Sequence, residues 1–297
     1  ASAATSGSNG RMCPPDGKWT TATVGERFIG EGGLRGVACR VQTCGDLTRV
    51  VSGAMPATIT LHALPPSHPC MTVAAALKLK GLEYERVDFA HSERLERMQE
   101  IYGEGNATVP GAVIDGEPVH GSRAILARLE QLSPEPSLFP SEEVREAERW
   151  GDEELQDLGR RFPWGALHFR PEAMGTFAGD GAQPLDGAGT DFAIKFVRAT
   201  WRYHGITAAR LQDDLAGLPA KLAHVERLAD DGVIGGEQVN AADLQIGATI
   251  RVLLPIADLR PLLAGTAAAR IALRWFPSYP GEVPAGAYPA GWVPAVA

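Results

Sequence analysis

The chain has 297 residues, 44% hydrophobic and 22% charged, an ordinary folded-protein composition with room for two domains. A formal charge of −8 argues against the clustered basic footprint of a nucleic-acid binder, and no apolar run reaches the roughly 18 residues of a spanning helix, so neither nucleic acid nor membrane is an expected partner. The four cysteines (13, 39, 44 and 70) are too scattered for a disulfide scaffold, and the seven histidines include no zinc-type spacing, so no metal is expected.

Residues 1–54 open as ASAATSGSNG and lack the basic start and apolar core of a secretory signal. Met55 stands directly before the first well-patterned strand, so this stretch is expected to be a disordered extension or the product of a mis-assigned start. ITLHAL (59–64) then alternates, with Ile59, Leu61 and Ala63 on one face, and predicts a strand. In PPSHPCMTVAAALKLKG (65–81) the prolines block a helix upstream, and an Ala/Leu/Lys-rich run stops at Gly81. This predicts a helix over 67–80 with Ser67 as N-cap and Cys70 in its first turn. LEYERVDF suggests a second strand, and SERLERMQEIYG a short helix opened by Ser92. TVPGAVIDGEPVHG reads as a hairpin turning at Asp115-Gly116. Ser122 opens SRAILARLEQL, whose Ile125, Leu129 and Leu132 share a face. The order β-α-β-α-β-β-α fills residues 55–134.

After a linker at 135–142 the chain turns helical from 143 to 276. Ser141 with Glu142 and Glu143 makes a good N-terminus, and Val144, Ala147, Gly151, Leu155, Leu158 and Phe162 recur at helical steps. Residues 171–189 read as a breaker-rich loop, followed by helical patterns near 190–204, 207–230, 241–254 and 261–274. Asn240 and Asp243 fit a capping-box variant, with Val239 and Leu244 at staple positions. The segment 277–297 is proline-rich and is expected to be an extended tail.

Three features stand at element junctions: Ser-x-x-Cys opening the first helix, Val109-Pro110 before the third strand, and Gly121-Ser122 opening the third helix. A proline at the second place donates no ladder bond, and the amides at the third can hold a carboxylate. With SHPCMTVAAALKLKGLEYERV, ATVPGAVIDG, HGSRAILARLEQLSPEPSLFP and GGEQVNAADL in this order, residues 57–255 resemble the glutathione transferase superfamily. The resemblance implies a fold of class α/β plus all-α, a thioredoxin-like βαβαββα thiol-binding domain followed by an all-helical one. It also implies a cytoplasmic homodimer, active in detoxification, with no permanently bound cofactor and glutathione as co-substrate.

By the same resemblance, Ser67 falls where the Ser and Cys branches activate the sulfur, and Cys70 where dithiol glutaredoxins carry a second cysteine. Val109 and Pro110 match the motif that pairs with the tripeptide, and Gly121 and Ser122 the γ-glutamyl-binding pair. The family usually has an acid where Gly121 stands, and the first proline comes one place late, after His68. Glutathione or a related small thiol is therefore the expected ligand, and a small hydrophobic electrophile its reaction partner. His68, Trp150, Phe162 and Trp164 are the expected electrophile pocket, with Phe169 in the same aromatic stretch. Two other functions stay open: thiol-disulfide exchange or deglutathionylation through Cys70, and a non-catalytic thiol-binding or adaptor role.

Overall fold

The computed structural model describes residues 57–295 apart from Pro66 and His91; the expected extension at 1–54 lies outside the described residues. Strand β1 (Ile59–Ala63) buries Ile59, Leu61 and Ala63 as the alternation predicts. Helix α1 (His68–Leu79) carries the chain across to β2 (Glu85–Asp88), which pairs parallel to β1. After α2 (Arg94–Tyr102), β3 (Gly111–Ile114) returns antiparallel on the other side of β1, in register Leu61 to Ala112. Asp115 and Gly116 both take positive φ (52° and 87°), the twist a two-residue hairpin needs, and β4 (Glu117–His120) closes the sheet order β2-β1-β3-β4. Helix α3 (Ser122–Leu132) follows.

Lys80, just past α1, ties the following linker down. Its buried ammonium reaches Glu130 at 2.8 Å and the carbonyls of Ser133 and Pro136, while Glu130 also accepts from Ser137 and the Leu138 amide. Burial alone would raise the Glu130 carboxyl, but these donors outweigh it and hold it below its ordinary value.

The helical part begins with α4 (Glu142–Trp150), whose Ser141 cap accepts from the Val144 amide. A single wide π-type turn, Gly151–Leu155, separates it from α5 (Leu158–Phe169). Helices α6 (Gly187–Tyr203), α7 (Ala208–Asp230), α8 (Ala241–Arg251), α9 (Arg260–Leu263) and α10 (Ala267–Trp275) complete it. Two expectations need correction. The stretch 171–189 is not all loop: Pro171–Ala178 forms a 3₁₀ helix, and α6 starts at Gly187. The pattern at 261–274 is two helices, broken at Gly265 where φ is +75°. The proline-rich tail docks: Val283 bridges Ile256, Asp258 accepts the Gly286 and Tyr288 amides, and the Tyr288 hydroxyl donates to the Phe162 carbonyl at 2.9 Å.

Two apolar cores form, one within the helices around Phe162, Leu155 and Leu211, the other under the sheet. The second takes in Ala241, Leu244 and Ala248 of α8, so this helix joins them. No helix among the described residues is long and apolar enough to cross a membrane.

All eleven residues of α8 are buried. Its capping box forms as the sequence predicts: Asn240 accepts the Ala242 and Asp243 amides, and Asp243 accepts the Asn240 amide, reaching the Gly235 amide as well. Removing Asp243 strands two enclosed donors. Urea denaturation of Asp243→Ala is expected to show a loss of about 2–4 kcal/mol, against about 1–2 kcal/mol for Asn240→Ala; equal small losses would show that the box is dispensable.

Candidate active site

At the mouth of α1, Ser67 holds the N-cap position by its backbone (φ −79°, ψ 117°), and its carbonyl accepts the Met71 amide. Its hydroxyl caps nothing. Pro69, two residues on, has no amide hydrogen to offer it, so at the positive end of the helix the hydroxyl is not spent on capping and instead bonds the Cys70 thiol. Cys70 lies one turn inward and is 1% exposed. Burial pushes its thiol pKa up, with the neighbouring Ser67 hydroxyl pulling the other way.

His68 points the opposite way, into the helical part. Its Nε2–H donates to the Gln156 carbonyl at 2.9 Å, and its ring fills the place a side chain at Gly159 would take, 2.8 Å from where a Cβ would stand. Burial, reinforced by the Arg160 charge, lowers this imidazole to a pKa of about 3. It is therefore neutral and serves as a wedge joining α1 to α5.

Two adjoining cavities share Pro69, Thr108, Val109 and Arg160. The larger, about 550 Å³, is bordered by Pro110, Gly121, Ser122, Asp152 and Gln156. The Val109–Pro110 bond is cis, and His120 donates to the Thr108 carbonyl at 2.8 Å, fixing the approach to it. Gly121 caps α3 with φ +90°, and no atom lies within 4 Å of where its Cβ would stand, so backbone conformation rather than space favours glycine. Ser122 Oγ accepts from the Gln156 amide at 3.4 Å, and the same amide donates to Asp152 at 2.6 Å. The side-chain amide of Gln245 also reaches Asp152. Behind them, burial lifts the Glu148 carboxyl to about 7, with Arg123 opposing.

The smaller cavity, about 100 Å³, lies between Ser67 and the helical wall of Gly159, Trp164, Thr200 and His204, with Arg94 at its side. The structure thus brings Ser67, His68, Val109 and Trp164 to one cavity and Pro110, Gly121 and Ser122 to its neighbour. Two expected pocket residues do not come. Phe162 is fully buried in the helical core, and Trp150 packs on His224 with ring centroids 4.3 Å apart. The cause is helix periodicity: two residues at 100° apiece put Phe162 and Trp164 on nearly opposite faces. Phe169, from the same stretch, packs on Trp201 and Trp292. Sequence reasoning missed Asp152, Gln156, Arg160 and Arg94; only Arg160, one helical turn before Trp164, carried a local signal.

Residues 61–137 match the family model described as glutathione S-transferase, N-terminal domain. Over 75 residues the chain is 35% identical to a Caenorhabditis elegans protein described as "Probable maleylacetoacetate isomerase", a stretch covering 25% of this chain and 34% of that one. The aligned stretch thus spans about a third of that curated relative's length. Among solved structures, glutathione transferase GSTFuA3 of Phanerochaete chrysosporium superposes with a TM-score of 0.51 at 18% identity, over 73% of this chain and 96% of that one. A glutathione S-transferase of Rhodospirillum rubrum gives 0.43 at 21% identity, over 73% and 85%.

Fold and site define a thioredoxin-like domain joined to a helical one. The family match covers the first of these: residues 61–137 carry the N-terminal domain of the glutathione S-transferase family.

The His68 wedge has a measurable consequence. Its folded pKa is about 3 against 6.5 for a free imidazole. Between those values the unfolded chain binds a proton that the native state refuses, so stability rises with pH across the window and is lost on acidification below 6.5. The limiting slope is about 1.4 kcal/mol per pH unit. Glu148 acts in the opposite sense between 4.5 and about 7, but equally in both proteins when wild type is compared with His68→Gln. Denaturation from pH 7 to pH 4 is expected to show wild type losing stability relative to the variant; parallel curves would contradict a neutral buried imidazole.

Proposed function

We propose that this protein is a glutathione-dependent transferase that joins glutathione, or a related small thiol, to a small hydrophobic electrophile. The observation that carries this is Ser67 at the N-terminus of α1, its hydroxyl not spent on capping the helix, lining a cavity that adjoins the one bordered by Pro110 and Ser122. Detoxification in the cytoplasm by a homodimer is the setting the reading proposes, with no resident cofactor or metal. Among the described residues no cluster suited to a metal ion occurs.

In this reading the thiol peptide pairs its backbone with Val109, and its γ-glutamyl carboxylate meets Ser122 and the amides opening α3. Gly121 provides no counter-charge for the γ-glutamyl ammonium. Asp152, on the opposite wall of the same cavity, is in place to do so. The thiol loses its proton to solvent, the thiolate attacks the electrophilic carbon, and a leaving group departs as the carbon–sulfur bond forms. Lowering a thiol pKa by about two units takes about 2.7 kcal/mol. A hydroxyl donating to the charged sulfur contributes about 1.5–3 kcal/mol, and the helix end about 0.3–1 kcal/mol. Ser67 suffices without a general base.

The burial that raises Cys70 argues against its use in thiol-disulfide exchange or deglutathionylation, since the thiolate is the reactive form. With glutathione and 1-chloro-2,4-dinitrobenzene, Ser67→Ala is expected to lower turnover by about tenfold or more, while Cys70→Ala keeps it; near-normal turnover in Ser67→Ala would reject Ser67 as the activating group. Asp152→Asn is expected to raise KM for glutathione by roughly tenfold with a smaller effect on kcat. If wild type neither binds a glutathione resin nor turns over, the chain is a non-catalytic member of its fold.

A further inference from the structure

Arg94 opens α2, yet it belongs to the cavity beside Ser67. The residue is only 8% exposed. Its Nε is enclosed without a hydrogen-bond partner, and among the described residues no carboxylate stands within ion-pair distance of it. Its guanidinium lies over the Tyr203 ring of α6, 5.1 Å from the centroid. That contact is with a ring face and satisfies none of the N–H donors as a hydrogen bond to an oxygen would. The other arginine of this cavity is already neutralised: Arg160 donates to Asp157 and to Gln156 Oε1, both at 2.8 Å. A buried cation normally keeps a partner, because enclosing it alone is costly. An arginine fork set in a cleft fits a carboxylate in two-point fashion.

We propose that Arg94 is the specificity-determining residue for an electrophile that itself carries a carboxylate. The assignment rests on the transferase reading above for the cavity's role. The walls favour the electrophile over the thiol peptide, because Arg94 shares its cavity with Trp164, Thr200 and His204 of the helical part and does not line the one that holds Ser122. The reacting carbon then sits nearer Ser67, with the carboxylate held at the far side by the guanidinium and the apolar body against Trp164. Uncharged electrophiles of equal size lack the contact that Arg94 offers.

The test has one arm free of glutathione and one with it, both on the full chain. In calorimetry, wild type is expected to bind 3-nitrobenzoate roughly tenfold or more tightly than 3-nitrobenzamide. Arg94→Gln should erase that preference, and Arg94→Lys, which keeps the charge, should retain part of it. In the kinetic arm the electrophiles are 4-fluoro-3-nitrobenzoate and its amide with glutathione. The acid-to-amide ratio of kcat/KM is expected to fall by roughly tenfold in Arg94→Gln, with KM for glutathione moving less than about twofold. Equal binding of acid and amide by wild type, or a preference that survives in Arg94→Gln, overturns the proposal. So does a large rise in KM for glutathione with an unchanged ratio, which would place Arg94 on the thiol peptide's own carboxylate. A carboxylate preference that depends on Arg94 without any turnover would uphold the assignment while rejecting the transferase reading.

Discussion

A helix with no exposed face is the constraint on which this molecule depends. Every residue of α8 is buried, so its neighbours approach from all sides and its own side chains have to be small where they do. Ala241 and Ala248 face the core beneath the sheet, while Ala242, Ile246 and Ile250 face the helical core. A Cβ at Gly247 would stand 3.1 Å from Phe276, and one at Gly151 of the adjoining turn 3.1 Å from Ile246. Such a helix cannot satisfy its N-terminal amides with water, so they are satisfied internally by Asn240 and Asp243. Burial raises the Asp243 carboxyl, with the Gly235 and Asn240 amides resisting. The box is thus part of the core.

From that anchor the site follows by geometry. Thr72 of α1 donates to the Leu244 carbonyl of α8, and the Gly151–Leu155 turn packs on the other side of α8. Both α1 and the start of α5 are thereby fixed to one body, and their ends meet where His68 enters the gap at Gly159. The wedge works because glycine leaves the space and because a neutral imidazole carries no charge into it. With His68 turned toward the helices, Ser67 is left facing the cavity. The one-place shift of the first proline thus goes with an anchoring histidine, whose position beside Ser67 gave no sign of it in the sequence.

What could be read from the chain was what lies within a few residues of itself. The alternation in ITLHAL, the Asp115-Gly116 turn and the Asn240–Asp243 box are each closed locally, and each stands where its pattern put it. Ser67, Val109, Pro110 and Ser122, singled out by the resemblance, sit at element ends and line the two adjoining cavities. Asp152 and Gln156 were hidden because they reach the Ser122 cavity from about thirty residues further along the chain, by tertiary packing alone. The aromatic stretch misled for a different reason. Composition records that Phe162 and Trp164 are aromatic; which one faces outward is set by the phase of α5, and its first-turn residue Leu158 shares a face with Phe162.

Charge placement at the site shows a division of labour that no single motif announces. Around Ser122 the protein supplies carboxylates: Asp152 at the cavity wall and Glu148 behind it, both raised by burial and both held against Arg123. A raised carboxyl gains from the arrival of a cation, which favours its ionised form and adds the partner that burial had denied it. Around Ser67 the balance is reversed. There the cavity is lined by the helix end, the neutral His68 and Arg94, and no carboxylate is among its lining residues. The two cavities therefore differ in what they offer: Asp152 stands with Arg123 and Arg160 in one, while Arg94 and Arg160 line the other without a carboxylate. At Gly121, beside Ser122, the backbone itself disfavours a side chain, with φ at +90°.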